Sequence, residues 1–142
     1  MTSISNDSPA APAEDASIYQ AARQDKPWGH EIIFAAVDGR YAGKILHVTA
    51  GHSLSLQYHL EKEETSSVLS GSAVIEYGPA ADALTSRHLG PGDTIHLPPG
   101  TVHRMTAITD VTFAEVSTAA PGWREDVVRL EDKYGRAGTT AP

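Results

Sequence analysis

Short runs of apolar and β-branched residues alternate with turn residues along most of the chain, from Lys26 onward. Each run is four to eight residues long, which suits a strand and is too short for a typical helix. The runs lie at residues 30–37, 44–49, 53–59, 65–69, 73–77, 94–97, 102–106 and 111–116. The pattern therefore predicts about eight strands and an all-β fold.

The links between these runs carry residues that adopt turn dihedral angles at low cost. Such residues occur at 38–39, 50–51, 70–71, 90–93 and 98–100. Many short strands joined by tight turns are typical of a jelly roll or a closed barrel, which also protects the sheet edges. We predict one such barrel over residues 25–120.

The two ends of the chain differ from this central segment. Residues 1–24 are rich in Ser, Ala, Pro and Asp, so they bury too little surface to offset the entropy cost of ordering. We expect a disordered arm there. Residues 121–142 are dense in charge but include Val127, Val128 and Leu130. We expect this tail to pack on the barrel as a helical turn or as an extended flap.

Composition narrows the classes of function. The chain has 142 residues, enough for one domain, and its lack of cysteine excludes disulfides and thiolate chemistry. A net charge of −7, from 18 acidic and 11 basic residues, argues against a nucleic-acid or membrane-surface partner. The chain has no secretory signal pattern and no apolar stretch of about 20 residues. We expect a cytoplasmic protein that acts on a small molecule.

Four polar residues have the spacing of a metal site. Gln57 and His59 alternate along one predicted strand, so they point to the same face. A turn just after them returns the chain, so that Glu64 can face them from the next strand. In the segment GDTIHLPPGTVH, a proline and glycine turn delivers His103 at the start of another strand. We predict that these four side chains bind one divalent cation; the alternative is that hydrogen bonds satisfy them inside the barrel.

The ligand types indicate the kind of metal. Two imidazoles, one amide oxygen and one carboxylate carry a single negative charge and are harder than three imidazoles. Such a set favours polarisation of a hydroxyl or carbonyl over one-electron oxygen chemistry. We expect one zinc ion, with manganese, iron, cobalt or nickel as the other candidates.

These segments resemble the two motifs of the cupin superfamily, G-x5-H-x-H-x(3,4)-E-x6-G and G-x5-P-x-G-x2-H-x3-N. The matching stretches are residues 51–71 and 92–107. Gln57 stands where the first motif usually has histidine, and Ala107 stands where the second usually has asparagine. The resemblance implies a double-stranded β-helix, the jelly-roll barrel of the cupins, with the metal at its mouth.

Longer segments resemble the cupin domain of bacterial type II mannose-6-phosphate isomerases, which is often fused to a GDP-mannose pyrophosphorylase domain. They are KPWGHE at 26–31, GKILHVTAGHSLSLQYH at 43–59, GDTIHLPPGTVHR at 92–104 and EDVVRLEDKYGR at 125–136. Phosphomannose isomerases also hold their metal with glutamine, histidine, glutamate and histidine. The resemblance implies aldose–ketose isomerisation of a sugar phosphate.

The isomerase resemblance suggests residues for the other roles. Isomerisation needs a group that moves a proton between C1 and C2, and cations for the phosphate. Our candidates are Lys44 and Glu115 for catalysis, and Ser55, Arg124 and Arg129 for substrate binding. The alternatives are a surface ion pair for Lys44, a turn-bonding carboxylate for Glu115, and a solvated charged tail for the two arginines.

Three departures from the isomerase pattern leave other functions open. Ser66 replaces an aromatic residue, Ala107 an asparagine and Ser117 a glutamine. By alternation Ser66 shares a face with Glu64, so this change predicts a larger and wetter pocket. The alternative functions are a small dioxygenase or cyclase of secondary metabolism, and a non-catalytic sugar-binding cupin.

One apolar strand face predicts an oligomer. Leu54, Leu56 and Tyr58 lie opposite Gln57 and His59 by alternation, yet they are apolar. A second sheet or another subunit must cover them, and a homodimer is the economical solution.

Overall fold

The computed structural model describes residues 15–141, which form two antiparallel sheets. This part of the chain contains eleven strands: β1 (Ala22–Lys26), β2 (Gly29–Val37), β3 (Tyr41–Val48), β4 (Leu56–Tyr58), β5 (Glu64–Ser70), β6 (Ala73–Gly78), β7 (Thr85–Leu89), β8 (Thr94–Leu97), β9 (Val102–Ala107), β10 (Val111–Thr118) and β11 (Val128–Glu131). The orders are β1-β2-β3-β10-β5-β8 and β11-β4-β9-β6-β7. The all-β jelly roll is therefore confirmed. Within residues 15–141, no helix has the length and apolarity needed to cross a bilayer.

Every predicted run overlaps a strand, although β4 covers only part of residues 53–59. The three strands that the hydrophobic pattern missed, β1, β7 and β11, all lie at sheet edges. An edge strand is paired on one side only, and exposed strands carry little apolar alternation. The sequences ARQDK of β1 and TSRHL of β7 show this. Pairing with a neighbour makes these segments strands.

Both ends of the chain join the sheets. β1 begins at Ala22, so the six-stranded sheet includes the last residues of the segment for which we predict an arm. Residues 1–14 of that segment lie outside the described residues. In the tail, β11 pairs with β4, which is the extended alternative of our prediction. Trp123 is buried with Ala42 and Ala119, so the tail packs on the barrel.

The core lies between the two sheets. In the six-stranded sheet, Phe113 is in register with Leu46 on one side and Val68 on the other, and all three are buried. Burying one side chain of this size contributes about 1.5–3 kcal/mol. The same cluster includes Trp28, Val48, Ala73, Ile75, Leu89, Met105, Ala107 and Val111. A polar layer begins two residues further along the strands.

The apolar residues that predicted a partner subunit are mostly covered by this chain itself. Leu56 is buried, and Leu54 packs against the main core cluster. Alternation fails at Leu54 because residues 53–55 form only an isolated bridge and no regular strand. Tyr58 is half-buried and pairs with Val128 of β11. These three residues therefore do not support a homodimer.

The turn between β5 and β6 requires glycine for two reasons. Gly71 has a φ of 83°, and a Cβ there would lie 2.0 Å from the carbonyl oxygen of Asp110. Gly51 has a similar φ of 80°, but nothing lies within 4 Å of its Cβ position. Gly51→Ala should therefore cost only the left-handed conformation, about 1–2 kcal/mol. We expect Gly71→Ala to lower the free energy of unfolding by more than this, as measured by urea denaturation; equal losses would contradict the steric argument.

Candidate metal centre

Three residues in register line one wall of the barrel interior. Gln57 of β4 pairs with Arg129 of β11 on one side and with His103 of β9 on the other. Residues directly opposite each other in antiparallel strands point to the same face, with Cβ atoms about 4.5–5.5 Å apart. The five-stranded sheet thus places a guanidinium, an amide and an imidazole side by side.

His59 and Glu64 join this wall from the next segments of the chain. His59 directly follows β4, and Glu64 is the first residue of β5. Glu64 Oε1 lies 2.8 Å from His59 Nε2 and 3.4 Å from His103 Nε2. All three residues are buried, and their nearest ligand atoms lie within 4.8 Å of one another. The fold therefore brings together three of the four predicted ligands.

Backbone carbonyls determine which nitrogen of each imidazole carries the proton. His59 Nδ1 lies 2.5 Å from the carbonyl oxygen of Asp126, and His103 Nδ1 lies 2.8 Å from that of Thr101. A carbonyl oxygen only accepts, so Nδ1 of each neutral ring donates and Nε2 keeps a lone pair.

Both Nε2 lone pairs face the carboxylate of Glu64. Its Oε1 is buried and accepts no hydrogen bond from any of residues 15–141. Burial raises the pKa of Glu64, and a proton on the Nε2 atom of His103 or His59 would donate to the carboxylate and hold that pKa well below its usual value. The two Nε2 atoms and the carboxylate oxygen are electron-rich and face one another, so they can coordinate a cation placed between them. The cluster can therefore hold a metal ion.

Gln57 is held in place by Ser55. The buried Ser55 hydroxyl donates to Gln57 Oε1 at 2.5 Å, and Gln57 Nε2 lies 3.5 Å from His59 Nε2. Half a rotation of the amide would exchange its two ends, so that Oε1 faces the cluster and Ser55 accepts from Nε2. A substrate contact for Ser55 stays a prediction, since its hydrogen-bond partner in this structure is Gln57.

A second carboxylate lies near Glu64 on the neighbouring strand of the same six-stranded sheet. Glu115 of β10 is in register with Lys44 of β3 on one side and with Ser66 of β5 on the other. Both Lys44 and Glu115 line the same cavity as Glu64, so they face the interior. Burial and the charge of Glu64 together raise the pKa of Glu115 to about 8.

The larger and wetter pocket expected at Ser66 stays a prediction. Ser66 is buried, and the space beside it has a volume of only ≈ 20 Å³. Ile95, in register with Ser66, and Phe113 border this space.

The main cavity has a volume of ≈ 370 Å³ and reaches the cluster through Gln57, His59 and Glu64. Six basic residues line it, against four acidic ones. The basic residues are Lys26, Lys44, Lys62, Arg124, Arg129 and Arg136, and the acidic ones are Glu31, Glu64, Glu115 and Glu125. A protein with a net charge of −7 thus has an interior cavity with excess positive charge.

Part of this positive charge has little compensation. The buried Glu31 lies 3.8 Å from Lys26 Nζ and 3.4 Å from Lys44 Nζ, so two ammonium groups share one carboxylate. Burial lowers the pKa of Lys26, and the charges of neighbouring basic residues add to the effect. Arg129 Nε is buried and donates no hydrogen bond among the described residues. An anionic ligand would compensate this positive charge.

Two arginines lie farther from the cluster. Arg124 lines the rim of the cavity, where it bonds Asp38 at 3.2 Å and lies over the ring of Trp123. Its part in substrate binding stays a prediction. Arg104, next to His103, pairs instead with Glu76 at 2.9 Å.

Sequence reasoning missed four residues of this site: Lys26, Glu31, Lys62 and Asp126. Lys26 and Glu31 belong to the KPWGHE segment that carries the family resemblance, so that segment held a usable signal. Lys62 lies between the ligands His59 and Glu64 and is buried. Asp126 belongs to the segment 125–136 that also carries the resemblance, but local spacing could not place it at the site, because its partners lie more than sixty residues away.

A jelly-roll barrel with a buried His-Glu-His cluster beside an inward-facing glutamine defines a cupin. The chain belongs to the family described as mannose-6-phosphate isomerase C-terminal, whose model matches residues 13–132. This confirms the resemblance seen in the sequence.

Curated relatives are much longer proteins. Alginate biosynthesis protein AlgA of Pseudomonas putida is 31% identical over 118 residues, which is 80% of this chain and 23% of AlgA. Mannose-1-phosphate guanylyltransferase ManC of Salmonella typhimurium is 30% identical over 115 residues, which is 78% of this chain and 22% of ManC. The chain thus spans less than a quarter of the length of these relatives.

Solved structures share the fold. A crystal structure of CapF with the inhibitor 3-isopropenyl-tropolone has a TM-score of 0.70 at 19% identity, covering 81% of this chain and 36% of CapF. Oxalate decarboxylase of Bacillus subtilis has a TM-score of 0.68 at 16% identity, covering 84% of this chain and 34% of that one. At such identities the similarity extends to the fold alone.

Proposed function

We propose that this protein is a metal-dependent isomerase that interconverts an aldose phosphate and a ketose phosphate, with mannose 6-phosphate as the first candidate substrate. The observation that carries the proposal is the convergence of His59, Glu64 and His103 beside a cavity with excess positive charge. Membership of the mannose-6-phosphate isomerase C-terminal family supports the reaction type.

The metal ligands in this proposal are Gln57, His59, Glu64 and His103. A divalent ion held by them, zinc first, would polarise the hydroxyl and carbonyl oxygens of the open-chain sugar. The two Nε2 lone pairs and the ionised Glu64 are already directed at one point. Ser55 would hold the amide of Gln57 after its half rotation.

Glu115 and Lys44 are the catalytic residues in this proposal. Isomerisation breaks the C2–H bond, forms a C1–H bond and moves the O2 proton to O1, so it needs no oxidant or reductant. Glu115 takes the proton from C2 and returns it to C1. The Lys44 ammonium, in register beside Glu115, stabilises the negative charge that develops on the sugar oxygens.

Arg129 and Arg124 bind the phosphate in this proposal. Arg129 lies beside Gln57 in register, and the N–H of its buried Nε has no acceptor among residues 15–141. A charge-assisted hydrogen bond contributes about 1.5–3 kcal/mol, so Arg129→Ala should raise KM for mannose 6-phosphate roughly 10- to 100-fold with little change in kcat. Arg104→Ala is the matched control, because this arginine of the same sheet pairs with Glu76. Equal KM values for the two variants would exclude Arg129 from the phosphate site.

An isomerase assay tests the function directly. Protein reconstituted in turn with zinc, manganese, iron, cobalt and nickel is given mannose 6-phosphate, and fructose 6-phosphate is measured by a coupled reaction. We expect turnover that disappears when a chelator removes the metal. Turnover that survives the chelator would overturn the metal-dependent mechanism. No turnover with any metal, together with oxygen consumption or with sugar binding, would favour a dioxygenase or a binding protein.

We also propose a cytoplasmic homodimer. The cysteine-free composition suits a reducing compartment. Phe34, Tyr41 and Val116 are exposed on the outer face of the six-stranded sheet, where Val116 is in register with Gly43 and Phe34 lies over that glycine. Exposed apolar patches of this kind are typical of interaction surfaces. Light scattering should therefore give twice the mass of one chain, and a single-chain mass would contradict the dimer.

A further inference from the structure

The loop that follows His59 is held by one carboxylate from the C-terminal tail. Asp126 Oδ1 accepts a hydrogen bond from the backbone N–H of Leu60 at 2.7 Å. Its Oδ2 accepts from the N–H groups of Glu61 and Lys62, at 3.0 and 2.9 Å. Hydrogen bonds to an ionised acceptor are stronger than neutral ones, so three of them around one side chain hold the loop in a single shape.

The main chain of the same residue holds the imidazole itself. The carbonyl oxygen of Asp126 accepts from His59 Nδ1. This bond keeps the proton on Nδ1 and leaves the Nε2 lone pair directed at Glu64. In the other tautomer Nε2 would carry a proton and could not bind a metal. The orientation of the ring and its ability to act as a ligand therefore depend on where residue 126 lies.

Asp126 also lies between the anchor of the tail and the wall of the cavity. On one side, Trp123 is buried and donates to Asp38 through its indole N–H. On the other side, Val127 and Arg129 line the cavity. A shift of the tail at Asp126 would therefore move the His59 hydrogen bond and the cavity wall together.

We propose that Asp126 is a positioning residue that couples docking of the C-terminal tail to metal binding at His59. The inference rests on the proposed metal site, and it is independent of the isomerase reaction. Because coupling between two equilibria is reciprocal, a docked tail that strengthens metal binding is itself stabilised by the metal to the same extent.

Zinc affinity measures this coupling. Asp126→Asn keeps the size of the side chain but replaces one acceptor oxygen with a donor, which then faces backbone N–H groups. The matched control is Asp38→Asn, which removes the other carboxylate holding the tail, bonded to Trp123 and Arg124. In competition with a chromophoric chelator, we expect Asp126→Asn to bind zinc about 10- to 100-fold more weakly than the unchanged protein. We expect Asp38→Asn to weaken zinc binding by much less, because it loosens the tail at Trp123 but leaves the contacts of Asp126 with residues 59–62 in place.

The tautomer of His59 provides a second measurement, on metal-free protein. Imidazole nitrogen chemical shifts should report the Nδ1–H form in the unchanged protein and in Asp38→Asn. Asp126→Asn should show a mixture of both tautomers. Equal zinc affinity and equal tautomer populations in the two variants would overturn the inference. If the unchanged protein binds no zinc, the proposed metal site fails, while the tautomer measurement still tests Asp126.

Hydrogen exchange keeps the proposal testable if Asp126→Asn does not fold. In the unchanged protein, zinc should slow exchange of the Leu60, Glu61 and Lys62 amides. The internal control is the Gly90 amide, which donates to the Asp93 carboxylate at 2.9 Å in a turn outside the metal cluster. Equal protection by zinc of the three loop amides and of the Gly90 amide would overturn the coupling.

Discussion

Replacing Glu64 with glutamine will abolish zinc binding and turnover of mannose 6-phosphate. The two effects have one cause. The Glu64 carboxylate faces the Nε2 atoms of His59 and His103, and its Oε1 has no hydrogen bond within the described part of the chain. A glutamine amide keeps the size of the side chain but removes the negative charge that would face the cation.

The loss of metal affinity follows from charge and ligand chemistry. Glu64 supplies the only negative charge among the four proposed ligands. Residues that only hydrogen-bond to metal ligands already contribute about 10- to 100-fold in metal affinity. Loss of a charged ligand should therefore weaken zinc binding by more than about 100-fold. Thermal unfolding with and without zinc measures the loss: zinc should raise the Tm of the unchanged protein and leave the Tm of the variant unchanged.

Glu63→Gln is the matched control for this experiment. Glu63 is the preceding residue in sequence, is exposed, and contacts His96. The Glu63→Gln variant should have the same zinc affinity and the same zinc-induced rise in Tm as the unchanged protein. A Glu64→Gln variant that still gains stability from zinc would show that Glu64 is no ligand and would remove the basis of the metal centre.

Glu115→Gln has the second largest expected effect, a loss of about 10²- to 10⁴-fold in kcat, the usual contribution of a general acid or base. The carboxamide has the same size but cannot accept a proton from C2. Since Glu115 is not among the proposed ligands, zinc affinity should change little. The variant therefore separates proton transfer from metal binding.

Isotope exchange makes this prediction specific. In deuterated water, the C2 hydrogen of mannose 6-phosphate should exchange with solvent in the unchanged protein, and this exchange should fall together with kcat in Glu115→Gln. Glu76→Gln, which removes a carboxylate paired with Arg104, should behave like the unchanged protein. Full exchange and turnover in Glu115→Gln would assign the proton transfer to another group, with Lys44 next to be tested.

The hydrophobic pattern predicted interior strands well and edge strands poorly. Interior strands such as β3, β5 and β10 bury one face, so alternation of apolar residues is required of their sequence. β1, β7 and β11 are paired on one side only, so their conformation depends on a neighbour that is distant in the chain. Alternation also failed at Leu54, where the backbone leaves the regular strand.

The candidate ligands could be predicted because their spacing is local. Gln57 and His59 are two residues apart, Glu64 follows after one turn, and a proline and glycine turn precedes His103. Local spacing determines which side chains share a face, and residues of the right chemistry on one face predict a cluster. The sequence alone thus determined the jelly-roll class, the family and the identity of the candidate ligands.

Only the tertiary structure decided how those ligands are held and what surrounds them. The hydrogen bond from His59 to Asp126 joins residues 67 positions apart, and the charges of Lys26, Glu31 and Lys44 meet across three strands. Such contacts depend on strand order and on where the tail docks. Neither is encoded in any short stretch of sequence, because each results from the packing of the whole barrel.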